Sequence, residues 1–191
     1  MRSRPFGLYF VATFLTSLAL FIPFVHLPAY ATDRGMSEAT GVLLLGTFGI
    51  GSIVGRFALG GAADRYGRRN TLLGLFLAMA AMQVWWWGSE SFWMLAVFAI
   101  VFGSCYGGFV ALSPSLMMDF YGGRSVSGII GVLYSGAGVG VLVGPTVAGF
   151  AYDLVQSYTL PIIGGVIANL LAAGCVAAMP QPERWKAAYA A

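Results

Sequence analysis

The chain has 191 residues, 59% of them apolar and only 9% charged, with a formal net charge of +3. A soluble domain builds its polar shell from about 25% charged residues, so this composition excludes one and requires lipid as part of the solvent. The basic residues sit in short connections between apolar runs rather than along one face. That excludes a nucleic-acid surface and points to membrane topology.

The first apolar run follows Arg2 and Arg4 and ends in Ala29-Tyr30-Ala31, which imitates a cleavable secretory signal. A signal's apolar core is about 7–15 residues. Here the run is uncharged from Pro5 to Thr32, long enough for a spanning helix of about 20 residues. Charges then divide the chain into six predicted spans, at 6–30, 38–59, 70–88, 91–118, 127–152 and 157–179. The expected fold is all-α, a single polytopic transmembrane domain over residues 1–191.

The third and fourth spans are separated by Gly88-Ser89-Glu90-Ser91, a tight helical hairpin, and Trp85-Trp86-Trp87 before it reads as an interfacial aromatic anchor. Cys105 and Cys175 lie inside apolar runs and read as reduced packing residues, with no disulfide. His26 is the only histidine, and neither a metal site nor a cofactor is expected. Arg2, Arg4, Arg65, Arg68, Arg69, Arg124, Arg184 and Lys186 fall on one side of the membrane, against Arg34 alone on the other. Both termini are therefore expected in the cytoplasm, with a bacterial inner membrane as the setting.

An offset of 89 residues aligns the second span with the fifth: Gly51, Gly55, Gly60, Ala62 and Asp64 meet Gly140, Gly144, Gly149, Ala151 and Asp153. The ends of spans one and four echo each other as Pro28…Asp33 and Pro114…Asp119. A repeat of three spans must place its second copy upside down. The expectation is two inverted three-helix units around a site near the membrane midplane.

Between spans two and three lies a charged island, Gly60-Gly61-Ala62-Ala63-Asp64-Arg65-Tyr66-Gly67-Arg68-Arg69. Its Gly-x-x-x-Asp-Arg-x-Gly-Arg-Arg spacing resembles the cytoplasmic-loop motif of the major facilitator superfamily of secondary transporters. The resemblance covers essentially the whole chain, as the C-terminal six-span half of a twelve-span carrier. Phe21-Ile22-Pro23-Phe24-Val25-His26-Leu27-Pro28 and Gly144-Pro145 before Gly149 and Asp153 resemble the monocarboxylate and oxalate–formate branch. It implies that Asp64 caps a helix across the interface between halves. Arg65 and Arg68 would bind a helix-end carboxylate, with Asp119 as the partner inside this chain. Gly60 and Gly67 would permit close approach and a sharp turn, and Arg69 completes the gating motif. Such contacts form in one conformation and break in the other, so they bias alternating access.

An ionisable group inside a span is a functional candidate by default. Arg56 lies two turns before Asp64, about 12 Å deeper, and its guanidinium suits a carboxylate. In the resembled branch, an arginine near this place engages the substrate carboxylate. The sequence departs from that branch at Ser52, where eukaryotic members often carry an aspartate, so proton coupling through such a pair is not implied. His26, between Pro23 and Pro28, titrates near neutral pH or hydrogen-bonds a carbonyl that a proline frees. Tyr106 and Tyr134 are further candidates for the pocket.

No Gly-x-Ser-x-Gly, His-Glu-x-x-His or phosphate-loop motif occurs, so no enzyme is expected. The expected function is alternating-access transport of a small organic anion. The partners are the bilayer and either an N-terminal six-helix half or a second copy. The alternative is a six-helix subunit or fragment without transport of its own, and the Met1-Arg2-Ser3-Arg4 start reads as the tail of a central loop.

Overall fold

The computed structural model describes residues 4–123 and 126–189. Arg2 and Arg124, counted in the charge bias, lie outside the described residues. Six long helices follow in order: α1 (Arg4–Asp33), α2 (Glu38–Tyr66), α3 (Arg68–Trp87), α4 (Phe92–Tyr121), α5 (Val126–Val155) and α6 (Thr159–Ala177). A short α7 (Pro182–Tyr189), absent from the sequence expectation, closes the chain. Helices α1, α2, α4, α5 and α6 are each long and apolar enough to cross a bilayer. α3 is less apolar because it carries Arg68, Arg69, Asn70 and Gln83, yet its 20 residues still cover about 30 Å.

Local chemistry sets the helix ends. Ser37 and Ser91 cap α2 and α4, their hydroxyls accepting from the amides of Thr40 and Met94. The charged island is not a loop: α2 continues through it to Tyr66, and the break is the single residue Gly67 at φ 83°. Its amide donates to the Ala63 carbonyl at 2.9 Å, closing α2, and α3 begins at the next residue. Positive φ there favours glycine.

Contacts fix which helix ends lie together. Arg68 pairs with Asp119, and Arg69 donates to the Met179 and Ala177 carbonyls at 3.0 and 2.6 Å. The α2–α3 connection and the last turns of α4 and α6 thus share one end of the bundle. At the opposite end, the Tyr152 hydroxyl donates to Asp33 at 2.6 Å and Arg34 pairs with Glu90 at 3.4 Å. The six helices therefore thread up and down in alternation.

The inverted repeat is visible in the packing. α2 lies against α4 and α5 against α1, while α3 and α6 pack on each other. Gly51 and Gly55 face the backbone of Ile100 and Ser104, and Gly140 and Gly144 face that of Phe14 and Leu18. Phe14 and Leu18 stand in α1 where Ile100 and Ser104 stand in α4, at the same spacing as Asp33 and Asp119. One helix crossing has been built twice. A side chain at Gly140 would put its Cβ 2.8 Å from the Phe14 carbonyl oxygen, so glycine is what lets the backbones meet.

Candidate functional site

Proline in a spanning helix strips a carbonyl of its donor, and in lipid another group must replace it. Pro23 does this to Ala19, one turn earlier in α1. The replacement comes from α3: Gln83 Nε2 donates to the Ala19 carbonyl at 3.1 Å. Asn169 Nδ2 of α6 donates to Gln83 Oε1 at 3.0 Å, and Thr16 Oγ1 of α1 donates to Asn169 Oδ1 at 2.8 Å. All three side chains are fully buried. A second polar tie, 2.7 Å between the Tyr9 hydroxyl and Ser113 Oγ, joins α1 to α4. Two amides in apolar spans were the available sequence signal, but only the fold joins them to a proline-freed carbonyl.

His26 is not bonded to a carbonyl freed in its own helix. Its Nε2 lies 3.1 Å from the carbonyl oxygen of Pro145 in α5, and its ring meets Tyr158 edge-on at 5.7 Å. Tyr158 in turn lies 4.4 Å from Tyr152, whose hydroxyl holds Asp33. His26 thus belongs to an aromatic cluster at the end of the bundle away from the island.

Tyr106 is half-buried, its ring 6.2 Å from Phe21 and 6.0 Å from Phe48. Tyr134 of α5 is partly exposed. Ser52 is buried in the α2–α4 contact, its carbonyl against Gly107, with little of it open to a solute.

Arg56 stands apart from them. It is exposed on α2 and has no hydrogen bond or ion pair among the described residues. It sits two turns beyond Phe48 on the way to the island, about 12 Å along the helix. A guanidinium at that depth is costly against hydrocarbon, which favours an aqueous cavity or a protein neighbour as what it faces.

In the island, Arg68 reaches Asp119 and Arg65 does not; Arg65 lies over the Tyr66 ring at 5.6 Å. Arg69 serves the end of α6, where carbonyls lack helical donors. Asp64 is exposed with no partner among the described residues, and a Cβ at Gly60 would meet nothing within 4 Å. Asp33 and Asp119, the matched carboxylates, each tie down the last turn of the first helix of a triplet, one through a phenol and one through a guanidinium. Of the three tryptophans, Trp86 is not an interfacial anchor. It is fully buried, stacked on Phe98 at 5.5 Å and packed on Tyr30 at 5.3 Å. Trp85 and Trp87 remain exposed.

Comparison with known proteins agrees with this architecture. The family model described as Major Facilitator Superfamily matches residues 9–190. Rat monocarboxylate transporter 3 is 32% identical over 161 residues, covering 82% of this chain and 33% of the relative. Rat monocarboxylate transporter 12 is 31% identical over 71% of this chain, and the MFS-type transporter pynF of Aspergillus niger is 28% identical over 94%. The chain spans about a third of the length of the monocarboxylate transporters it matches. A helical bundle of inverted triplets, a basic island pinned to a helix-end carboxylate and a family match over nearly every residue lead to one conclusion: the chain belongs to the Major Facilitator Superfamily, in its monocarboxylate-transporter-like branch, a family of membrane transporters rather than enzymes.

Proposed function

We propose that the chain forms the C-terminal six-helix half of a secondary carrier for a small organic anion, with Arg56 on the substrate path. The observation that carries this reading is an exposed guanidinium, unpaired among the described residues, partway along a membrane helix. A carboxylate is the solute that such a group recognises best, through two parallel charge-assisted hydrogen bonds. The monocarboxylate transporters among its relatives support the same solute class.

Transport then proceeds by rocking this bundle against a second six-helix bundle, either an N-terminal half or another copy of the chain. Both termini and the island face the cytoplasm, as the Lys and Arg distribution favours. Asp64, exposed at the island, and Gly60, half-buried but with nothing within 4 Å of an added Cβ, are the groups available to that second bundle. Arg68 and Asp119 hold the island in place beneath it.

The test is uptake of labelled monocarboxylates into proteoliposomes, with and without a pH gradient. Arg56→Lys keeps the charge but loses the planar fork, so uptake should fall about tenfold or more while helicity and elution volume stay unchanged. Unchanged uptake removes Arg56 from the path. No uptake by the wild-type chain, alone or with an added six-helix half, favours the alternative of a non-transporting subunit.

A further inference from the structure

We infer that a groove between α1, α5 and α6 binds one acyl chain of a membrane phospholipid. The groove encloses about 420 Å³, and its walls include Leu18 and Ile22 of α1, Val147 and Ala148 of α5, and Leu160 and Gly164 of α6. Every lining side chain is apolar, so neither water nor an anion finds a partner there. The groove is open along the bundle surface, so whatever surrounds the helices at that depth has access to it.

The inverted repeat shows that the hollow is particular to one copy of the seam. At the 89-residue offset, Ala148 of α5 stands where α2 has Leu59. In that first copy, Leu59 and Leu75 close on Gly108, where an added Cβ would lie 2.5 Å from Leu59 and 3.1 Å from Leu75. In the second copy Ala148, Gly164 and Ile22 stand at the places of Leu59, Leu75 and Gly108. Two leucines have become an alanine and a glycine; Ile22 enters but lines the groove without closing it, and a Cβ at Gly164 meets nothing within 4 Å.

Size, position and surroundings favour hydrocarbon. The α5 wall runs from Val143 to Ala151, a rise of about 12 Å, against about 15 Å for the hydrocarbon of one leaflet. It begins near the middle of α1 and ends by the α5–α6 connection, so it lies within the leaflet opposite the island. It is continuous with the exposed apolar surface of Val147, Leu160, Ile163 and Ile167, the surface that such helices present to lipid.

The experiment uses the protein in phosphatidylcholine vesicles containing a phosphatidylcholine analogue with a mid-chain diazirine. After illumination, adducts are mapped by peptide mass spectrometry. Residues 143–151 and 160–168 should be labelled several-fold more than the exposed α4 flank at Trp93 and Val97. Gly164→Leu, which grows into open space, should lower groove labelling several-fold and leave the α4 signal unchanged, and Ala148→Leu should do the same. Groove labelling equal to that of α4, or insensitive to Gly164→Leu, overturns the inference. So does a disulfide between two chains through Gly164→Cys that abolishes labelling, because protein would then fill the groove.

Discussion

Replacing Gln83 with leucine removes the donor that α3 supplies to the Ala19 carbonyl and the acceptor that it offers Asn169. An unsatisfied buried polar group costs about 1–3 kcal/mol, and interhelical hydrogen bonds in membranes average about 0.6 and reach about 1.7 kcal/mol. Two such losses should lower stability by about 2 kcal/mol, close to 30-fold in the folding equilibrium. Pro23 decides how that loss divides. Pro23→Ala restores an amide at residue 23 that can serve the Ala19 carbonyl within α1. In that background Gln83→Leu loses only the Asn169 contact, and its effect should shrink by about 1 kcal/mol. The assay is reversible unfolding of the four-variant cycle in bicelles, by steric trapping or detergent titration. Additive effects, with Gln83→Leu equally damaging with and without Pro23, would refute the claim that Gln83 replaces the missing amide.

Three further outcomes follow from the same geometry. Gly55→Val and Gly144→Val should each prevent a stable bundle, because their Cβ positions fall on the backbone of Ser104 and Leu18; loss of one but not the other, read by size-exclusion chromatography, would break the equivalence of the two crossings. Gly60→Val should leave stability unchanged, since nothing lies within 4 Å, and should reduce uptake if a second bundle packs there. Trp86→Ala should destabilise by about 3–5 kcal/mol, whereas Trp85→Ala and Trp87→Ala should each stay within about 1 kcal/mol, as measured by thermal unfolding in detergent.

Patterns of spacing carried much of the fold in the sequence. Six apolar runs separated by charges, and glycines repeating at 89 residues, are legible because lipid burial and backbone contact act directly on residue type. Helix ends were less legible. Gly60 and Gly61 resemble a turn, but two helix-weak residues followed by Ala62 and Ala63 do not stop a helix that Gly67 can close with one positive φ. Trp86 shows the same limit, because neighbours of identical type divide between core and surface by the 100° step of the helix. At the candidate site, the pairing of Arg68 with Asp119 was legible only through the family resemblance, which also implied Arg65 as a partner. The bond from His26 to Pro145, the service of Arg69 to α6 and the Gln83–Asn169 tie depend on crossings between helices distant in sequence, and no local pattern encodes them.

The triplets are interleaved rather than side by side: the first helix of each lies mainly against helices of the other, α1 on α5 and α6, α4 on α2 and α3. During synthesis, α1 must therefore wait in the bilayer without its principal neighbours until the fifth helix leaves the ribosome. Its Thr16 hydroxyl is then without Asn169 of α6, the partner it holds in the finished bundle. A nascent chain halted after α4 should be a recognisable target for membrane chaperones and proteases, and release of that surveillance should coincide with the arrival of α5 and α6.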